Sequence, residues 1–156
     1  MKKPPISFCY PTYVVEYAVV DSSVEFLNRG NLNVGGEWLG AVPKLAICRD
    51  IYSKAYFLAH CAKDWEMLCM VEEHETLEKS KANAEKHYKG ISSKWIRTNY
   101  KKKKAIQLFN REKDKMRCSF CGKSHYDHEF ASLICGKDAK ICNECVGRFS
   151  KELVSS

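Results

Sequence analysis

An apolar and aromatic stretch, Ile6 to Val20, opens the chain; it is rich in Tyr, Val and Phe and interrupted by Pro11. Proline lacks the N–H that a ladder needs, so the stretch reads as one or two strands broken there. Gly30, Gly35, Gly36, Gly40 and Pro43 then crowd a turn-rich segment, with Trp38-Leu39 as its expected core anchor. Two further strand-like runs, Tyr56–Cys61 and Trp65–Val71, flank Ala62-Lys63-Asp64, a spacing that predicts a hairpin. Alternation in the second run puts Trp65, Met67, Cys69 and Val71 on one face and Glu66, Leu68 and Met70 on the other. The two sets differ little in polarity, which predicts that both faces are partly covered.

The period changes at Thr76. Thr76 is a helix N-cap, Glu78 suits the positive end of the first turn, and Leu77, Ser80, Ala84 and Tyr88 recur at helical spacing. Gly90 supplies the stop. Small residues at the inward positions predict a helix lying close against the sheet. Ile91–Ile96, with Trp95 as a second aromatic anchor, ends this region. The pattern predicts an α+β fold: a small antiparallel sheet with a packed helix. From Tyr100 to Arg117 the sequence predicts a linker helix, with Ala105, Leu108 and Phe109 on its inner side and lysines toward water.

Charge sharpens this division. The net charge is +7, and residues 1–96 carry as many acidic as basic side chains, as do residues 118–156. The excess lies between Arg97 and Arg117. Lys101, Lys102, Lys103, Lys104, Arg111 and Lys113 form its basic patch, answered only by Glu112 and Asp114. Three regions follow: an α+β binding domain at 1–96, a basic linker helix at 97–116 and a small module at 117–156. Tyr100 and Phe109 are too few to make a stacking series, so nucleic-acid binding is possible but not favoured. The apolar run Tyr13–Val20 is broken by Glu16 and lacks a small-residue cleavage site, so neither a signal peptide nor a membrane contact is expected. Nine cysteines without an export signal fit a reducing cytoplasm, with Cys9, Cys48, Cys61 and Cys69 as small buried apolar residues.

The most specific chemistry lies in the last third. Cys118-Ser-Phe-Cys121 and Cys142-Asn-Glu-Cys145 are two CxxC pairs separated by a loop of twenty residues. That spacing can close four thiolates tetrahedrally around one zinc per chain. Such a shell has no open position for water or substrate, so the metal is structural. Four thiolates and one divalent ion together add −2, lowering the expected net charge to +5. Arg117 and Lys123 flank the first pair and are expected to favour thiolates. A rival shell of Cys118, Cys121, His125 and His128 fails because only three residues separate its halves, where a two-Cys, two-His finger needs about 12. The H-x-E and P-C-x-x-C elements of a deaminase are missing, as are H-E-x-x-H, G-x-S-x-G and the G-x-x-x-x-G-K-[ST] phosphate loop. No nucleophile, base and orienting group stand at recognisable spacing, so the expectation is a protein that is not an enzyme.

Cys118-Ser-Phe-Cys-Gly-Lys-Ser124, together with Leu133-Ile134, Gly136, Ala139 and Ile141-Cys-Asn-Glu-Cys-Val146, resembles the zinc-binding domain at the N-terminus of the ClpX unfoldase. The resemblance implies that Cys118, Cys121, Cys142 and Cys145 bind zinc, and that the module dimerises and recognises substrates or adaptors. Cys135, beside Gly136, departs from that pattern and is expected to be a spectator. Without a phosphate loop the chain is not expected to be an unfoldase. Phe120, Leu133, Ile134, Ile141, Val146 and Phe149 are more apolar side chains than so small a segment can bury, so they are the expected partner-binding and homodimer surface.

A second resemblance runs from Asp64-Trp65 through Ser80, Ala84-Glu85, Tyr88, Gly90-Ile91 and Trp95. It is similar to a small bacterial domain associated with immunity proteins of contact-dependent or secreted toxin systems. Together the two resemblances imply a non-enzymatic, cytoplasmic zinc protein that neutralises a cognate toxin by binding it. An adaptor engaging a Clp-type protease or its clients is the first alternative, and a nucleic-acid-binding regulator the second.

Overall fold

The computed structural model describes residues 2–8, 11–27, 33–34, 37–124 and 132–154. The chain divides into two compact units, Met1–Ile106 and Gln107–Ser156. Its strands are β1 (Thr12–Val19), β2 (Glu25–Phe26), β3 (Asn33–Val34), β4 (Glu37–Trp38), β5 (Lys44–Asp50), β6 (Tyr56–Cys61), β7 (Met67–His74), β8 (Tyr88–Lys89), β9 (Ile96–Arg97), β10 (Leu133–Cys135) and β11 (Lys140–Cys142). The helices are α1 (Leu77–His87), α2 (Lys102–Lys115) and α3 (Asn143–Val154), with a 3₁₀ turn at Ile91–Lys94. No helix among the described residues is long and apolar enough to cross a membrane.

The first unit is built on a five-stranded antiparallel sheet in the order β7-β6-β5-β1-β9. The expected α+β class is what the structure shows, with a wider sheet. Among the described residues, Ile6–Val20 gives one strand, starting directly after Pro11. The strand that periodicity does not reveal is β5, and it is the central one. Leu45, Ala46, Ile47 and Cys48 are all fully buried, because both faces of the sheet are covered and alternation is lost. One face packs Leu45, Ile47, Leu58, Ala84, Tyr88 and Ile91 under α1. The other gathers Val14, Tyr17, Ala46, Cys48, Ala59, Cys61 and Trp65. Each fully buried Leu or Ile contributes about 1.5–3 kcal/mol.

The expected hairpin joins β6 to β7, but the run Trp65–Val71 does not alternate regularly. A bulge shifts the register so that Cys61 pairs with Met67 while His60 pairs with Cys69. Met67 and Met70 therefore pack with the Trp65 cluster, while Leu68 packs on the α1 side. Trp65 itself precedes the strand, in a turn at φ +76°. That left-handed backbone costs about 1–2 kcal/mol. The ring lies edge-on to Tyr17 at 5.5 Å, Lys44 Nζ sits 4.6 Å above it, and its indole N–H donates to the Lys2 carbonyl at 2.8 Å. Burying an aromatic of this size removes about 150–250 Å² from water, worth about 4–6 kcal/mol, so packing outweighs strain.

Thr76 caps α1 as expected, its hydroxyl accepting from Lys79 N at 3.1 Å. Ser80, Ala84 and Tyr88 are buried, and Lys81 Nζ reaches the buried Glu16 carboxylate at 2.7 Å. The helix stops at His87, before Gly90. Gly90 instead turns the chain at φ +91°, where an added Cβ would lie 3.3 Å from the Ser23 carbonyl. The Glu85 carboxylate accepts from Gly90 N, Ser92 N and the Ser92 hydroxyl at 2.6–2.8 Å. Trp95 and Leu39 pack at the edge of the α1 core; the side chain of Trp38, together with Cys9, Gly30, Gly35 and Gly36, lies outside the described residues.

Candidate metal centre

The second unit places its cysteines on three local structures. Cys118 opens a tight knuckle after α2. Its N–H donates to the Lys123 carbonyl at 2.8 Å and its carbonyl accepts from Gly122 N at 2.9 Å. Gly122 has φ +74° with open space around its Cα, so the turn asks for glycine on backbone grounds alone. Cys142 ends β11, paired with Leu133 across the short hairpin that Gly136 N closes onto the Ala139 carbonyl at 2.8 Å. Cys145 sits in the first turn of α3, where the unpaired N–H groups and the helix dipole favour negative sulfur. Ser119 N donates to the Lys140 carbonyl at 2.7 Å and Lys140 N to the Ser119 hydroxyl at 2.9 Å, which ties the knuckle to the hairpin.

The four sulfurs lie within 4.8 Å of one another. Cys118 Sγ stands 3.8 Å from Cys145 Sγ, and Cys121 Sγ 3.8 Å from Cys142 Sγ. A zinc bonded to four sulfurs at about 2.3 Å sets its tetrahedral edge at about 3.8 Å. The separations therefore fit one zinc, and the donor set is all thiolate. Cys118, Cys142 and Cys145 are buried, so the shell is closed on most sides by protein. This is a site for one structural zinc.

The acid–base balance of the sulfurs points the same way. Burial works to raise the Cys118 thiol, but backbone N–H groups of Cys121, Cys142 and Phe120 aim at its sulfur and hold it down to about 6. Cys142 N lies 3.4 Å from it. Cys145 moves the other way, pushed up to about 12 by burial and by the neighbouring sulfurs. Backbone N–H groups thus favour a thiolate at Cys118, while burial and neighbouring sulfurs disfavour one at Cys145. A dication at the centre removes that conflict by binding both as thiolates.

The flanking cations are also engaged by acids. Arg117 Nε is engaged by Asp114 at 3.0 Å and its guanidinium also donates to the Gly122 carbonyl at 3.0 Å. Lys123 binds Glu144 at 2.9 Å, and its ammonium is held charged first by that carboxylate and then by Cys121 and Cys142. Both therefore brace the knuckle, and Lys123 also acts on the sulfurs of Cys121 and Cys142. Cys135 is exposed and outside the cluster. His125 and His128 lie outside the described residues.

The six apolar residues expected to form a partner surface fall into two groups. Leu133, Ile141 and Phe149 pack against the cysteines. Phe120 and Ile134 remain more than half exposed and Val146 is 38% exposed. Phe120 meets the edge of Phe149 at 5.4 Å, so one aromatic is anchored to the metal centre and holds the other at the surface. Lys101 just before α2, and Lys102 to Lys104 and Arg111 within it, are exposed; Lys113 is half-buried, while Ala105 and Phe109 are buried.

The ClpX C4-type zinc finger family model matches residues 116–154, covering both cysteine pairs and the hairpin between them. No solved structure matches the chain.

Proposed function

We propose that this protein is a non-enzymatic, zinc-stapled binding protein that works through protein–protein contact. The observation that carries the reading is a closed four-sulfur centre beside a partly exposed aromatic pair, Phe120 and Phe149. A coordination shell of four sulfurs leaves the metal nothing to catalyse, and it rigidifies the surface next to it. An exposed aromatic held by a fixed neighbour loses little entropy on docking, which is what an interface anchor requires.

Self-association through this surface is the first contact proposed, as the ClpX resemblance implies. Light scattering of the full chain is expected to show a dimer at tens of micromolar. Phe120→Asp is expected to give a monomer with one equivalent of zinc still bound. A wild-type monomer at high micromolar concentration sinks the dimer; a zinc-loaded Phe120→Asp variant that stays dimeric moves the interface elsewhere.

The finer reading is that the partner is a cognate toxin, neutralised by the α+β unit while the zinc module supports the complex. The pattern between Asp64 and Trp95 supports it. The adaptor reading, in which the module engages a Clp-type protease or its clients, draws on the C-terminal module. Affinity purification of the full chain separates the two. A stoichiometric toxin domain bound regardless of Phe120→Asp supports the first; protease subunits released by Phe120→Asp support the second.

A further inference from the structure

The first unit contains a cavity of about 370 Å³. Its lining includes Tyr13, Tyr56 and Tyr100 together with Arg49, Arg97 and Lys101. Three of these stand in one cross-strand row on the α1 side of the sheet, Tyr13 opposite Arg49 and Arg49 opposite Tyr56. The Arg49 guanidinium lies 5.4 Å from the centre of the Tyr56 ring, which fixes it over an aromatic face.

The other wall is built by the bulge in β1. The register shifts between Val14 and Glu16, which leaves Val15 as the extra residue. Thr98 clasps this point: its N–H donates to the Val15 carbonyl at 2.9 Å and its hydroxyl to the Val14 carbonyl at 2.8 Å. Tyr100 is pinned in turn by its hydroxyl, which donates to the Pro4 carbonyl. The segment carrying Arg97, Tyr100 and Lys101 is thus tied down before any ligand arrives, which is the usual device for re-aiming side chains at a site.

The charge is unbalanced. Among the described residues, Arg49, Arg97 and Lys101 have no acidic partner within ion-pair distance. Glu16, the acid of the lining, is buried and already bound to Lys81 at 2.7 Å. Immediately after Lys101, α2 begins with Lys102, Lys103 and Lys104 and no acid in its first turn. Cations there oppose the helix dipole. A bound anion would relieve both this repulsion and the unpaired arginines.

Two arginines and a lysine around one small concavity match the charge and fork geometry of phosphate oxygens. Tyr56, half-buried beside Arg49, supplies a flat face for a planar ring, whereas Tyr13 is buried and Tyr100 packs with the Trp65 cluster. The cavity lies in the size range of small-ligand sites, whereas protein docking needs a broad surface of about 800 Å² per partner. We propose that this cavity binds a nucleoside phosphate, with Arg49, Arg97 and Lys101 on the phosphate and Tyr56 on the base.

The test is calorimetric titration of the full, zinc-loaded chain at low salt with AMP, ribose 5-phosphate, inorganic phosphate and adenosine as probes. AMP is expected to bind more tightly than the other three, with an affinity that falls as salt rises. Arg97→Ala alters an exposed residue and is expected to weaken AMP binding about tenfold or more. Arg49→Ala is expected to do the same, with an unchanged tryptophan emission spectrum confirming its fold. No heat with AMP at millimolar concentration overturns the proposal. So does ribose 5-phosphate binding as well as AMP, which removes the base from recognition, and so does AMP binding indifferent to Arg97→Ala in a folded variant. An acidic peptide that binds where AMP does not would reassign the cavity to a protein partner.

Discussion

His60 makes the acid stability of the first unit predictable. It lies on β6 under α1, 1% exposed, with its ring 6.0 Å from that of Tyr88. Neither ring nitrogen has a hydrogen-bond partner among the described residues. Burial, reinforced by the charge of His87, lowers its pKa from 6.5 to about 4. The unfolded chain therefore takes up a proton near pH 6.5 while the folded chain refuses one until about pH 4. Between those values the unfolded state holds more protons, so stability is full above pH 6.5 and drains away as the pH falls. With these two pKa values the loss is about 2 kcal/mol at pH 5 and about 3 kcal/mol at pH 4. His60→Leu replaces the ring with an apolar side chain of similar volume and removes this linkage. At pH 7.5 the variant is expected to be as stable as the wild type or more so, because a buried polar group without a partner costs about 1–3 kcal/mol. By pH 5 its advantage is expected to have grown by about 2 kcal/mol. Trp38, Trp65 and Trp95 all lie in Met1–Ile106, so urea unfolding followed by tryptophan fluorescence reads this unit and is blind to the zinc module. The comparison of the two proteins cancels the carboxylates that titrate in both. Parallel stability curves for wild type and His60→Leu from pH 7.5 to 4.5 would refute the reasoning.

The other expectations are simpler. Metal analysis is expected to give one zinc per chain, and Cys142→Ser together with Cys145→Ser is expected to abolish it and unfold residues after Arg117, with tryptophan emission unchanged; a full equivalent of zinc in that variant refutes the ligand set. Gly90→Ala forces a Cβ into a left-handed turn 3.3 Å from a backbone oxygen and is expected to cost about 1–2 kcal/mol in the same urea assay; a loss below a few tenths would show that the turn can relax. Replacing Lys101 to Lys104 with Gln is expected to remove only weak, salt-sensitive binding of DNA or RNA; a base-specific complex of the wild type that survives about 200 mM salt would promote the basic helix to a recognition element.

What could be read in advance depended on how much tertiary structure each signal needs. The helix α1 was legible because its cap and its inward face are local: Thr76 bonds within one turn, and Ser80, Ala84 and Tyr88 recur at one helical period. The central strand β5 was not, since a strand buried on both faces shows no alternation and Leu45–Cys48 is too short an apolar run to declare its type. The irregularity in β7 was hidden for a related reason. A bulge is a relation between two strands, and the sequence of one strand still reads as though it were regular.

The two candidate sites divide along the same line. Zinc ligation survives translation into sequence because each CxxC is a turn that places two sulfurs by itself, leaving only the meeting of two turns to the fold. The cavity of Arg49, Arg97 and the tyrosines left no such trace. Its residues come from β1, β5, β6, β9 and the segment after β9, with spacings set by strand order. Even the apolar set around the metal was only half legible. Composition showed that the module had more apolar side chains than interior, but it took the packing to assign Leu133, Ile141 and Phe149 to the cysteines and Phe120, Ile134 and Val146 to the surface. That assignment puts Phe120 at the centre of the binding proposal. It is the exposed member of a pair whose other ring is fixed by the metal centre, so loss of zinc is expected to release both and weaken partner binding along with the fold. A partner that binds the zinc-stripped chain as tightly as the loaded one would therefore have to use the first unit.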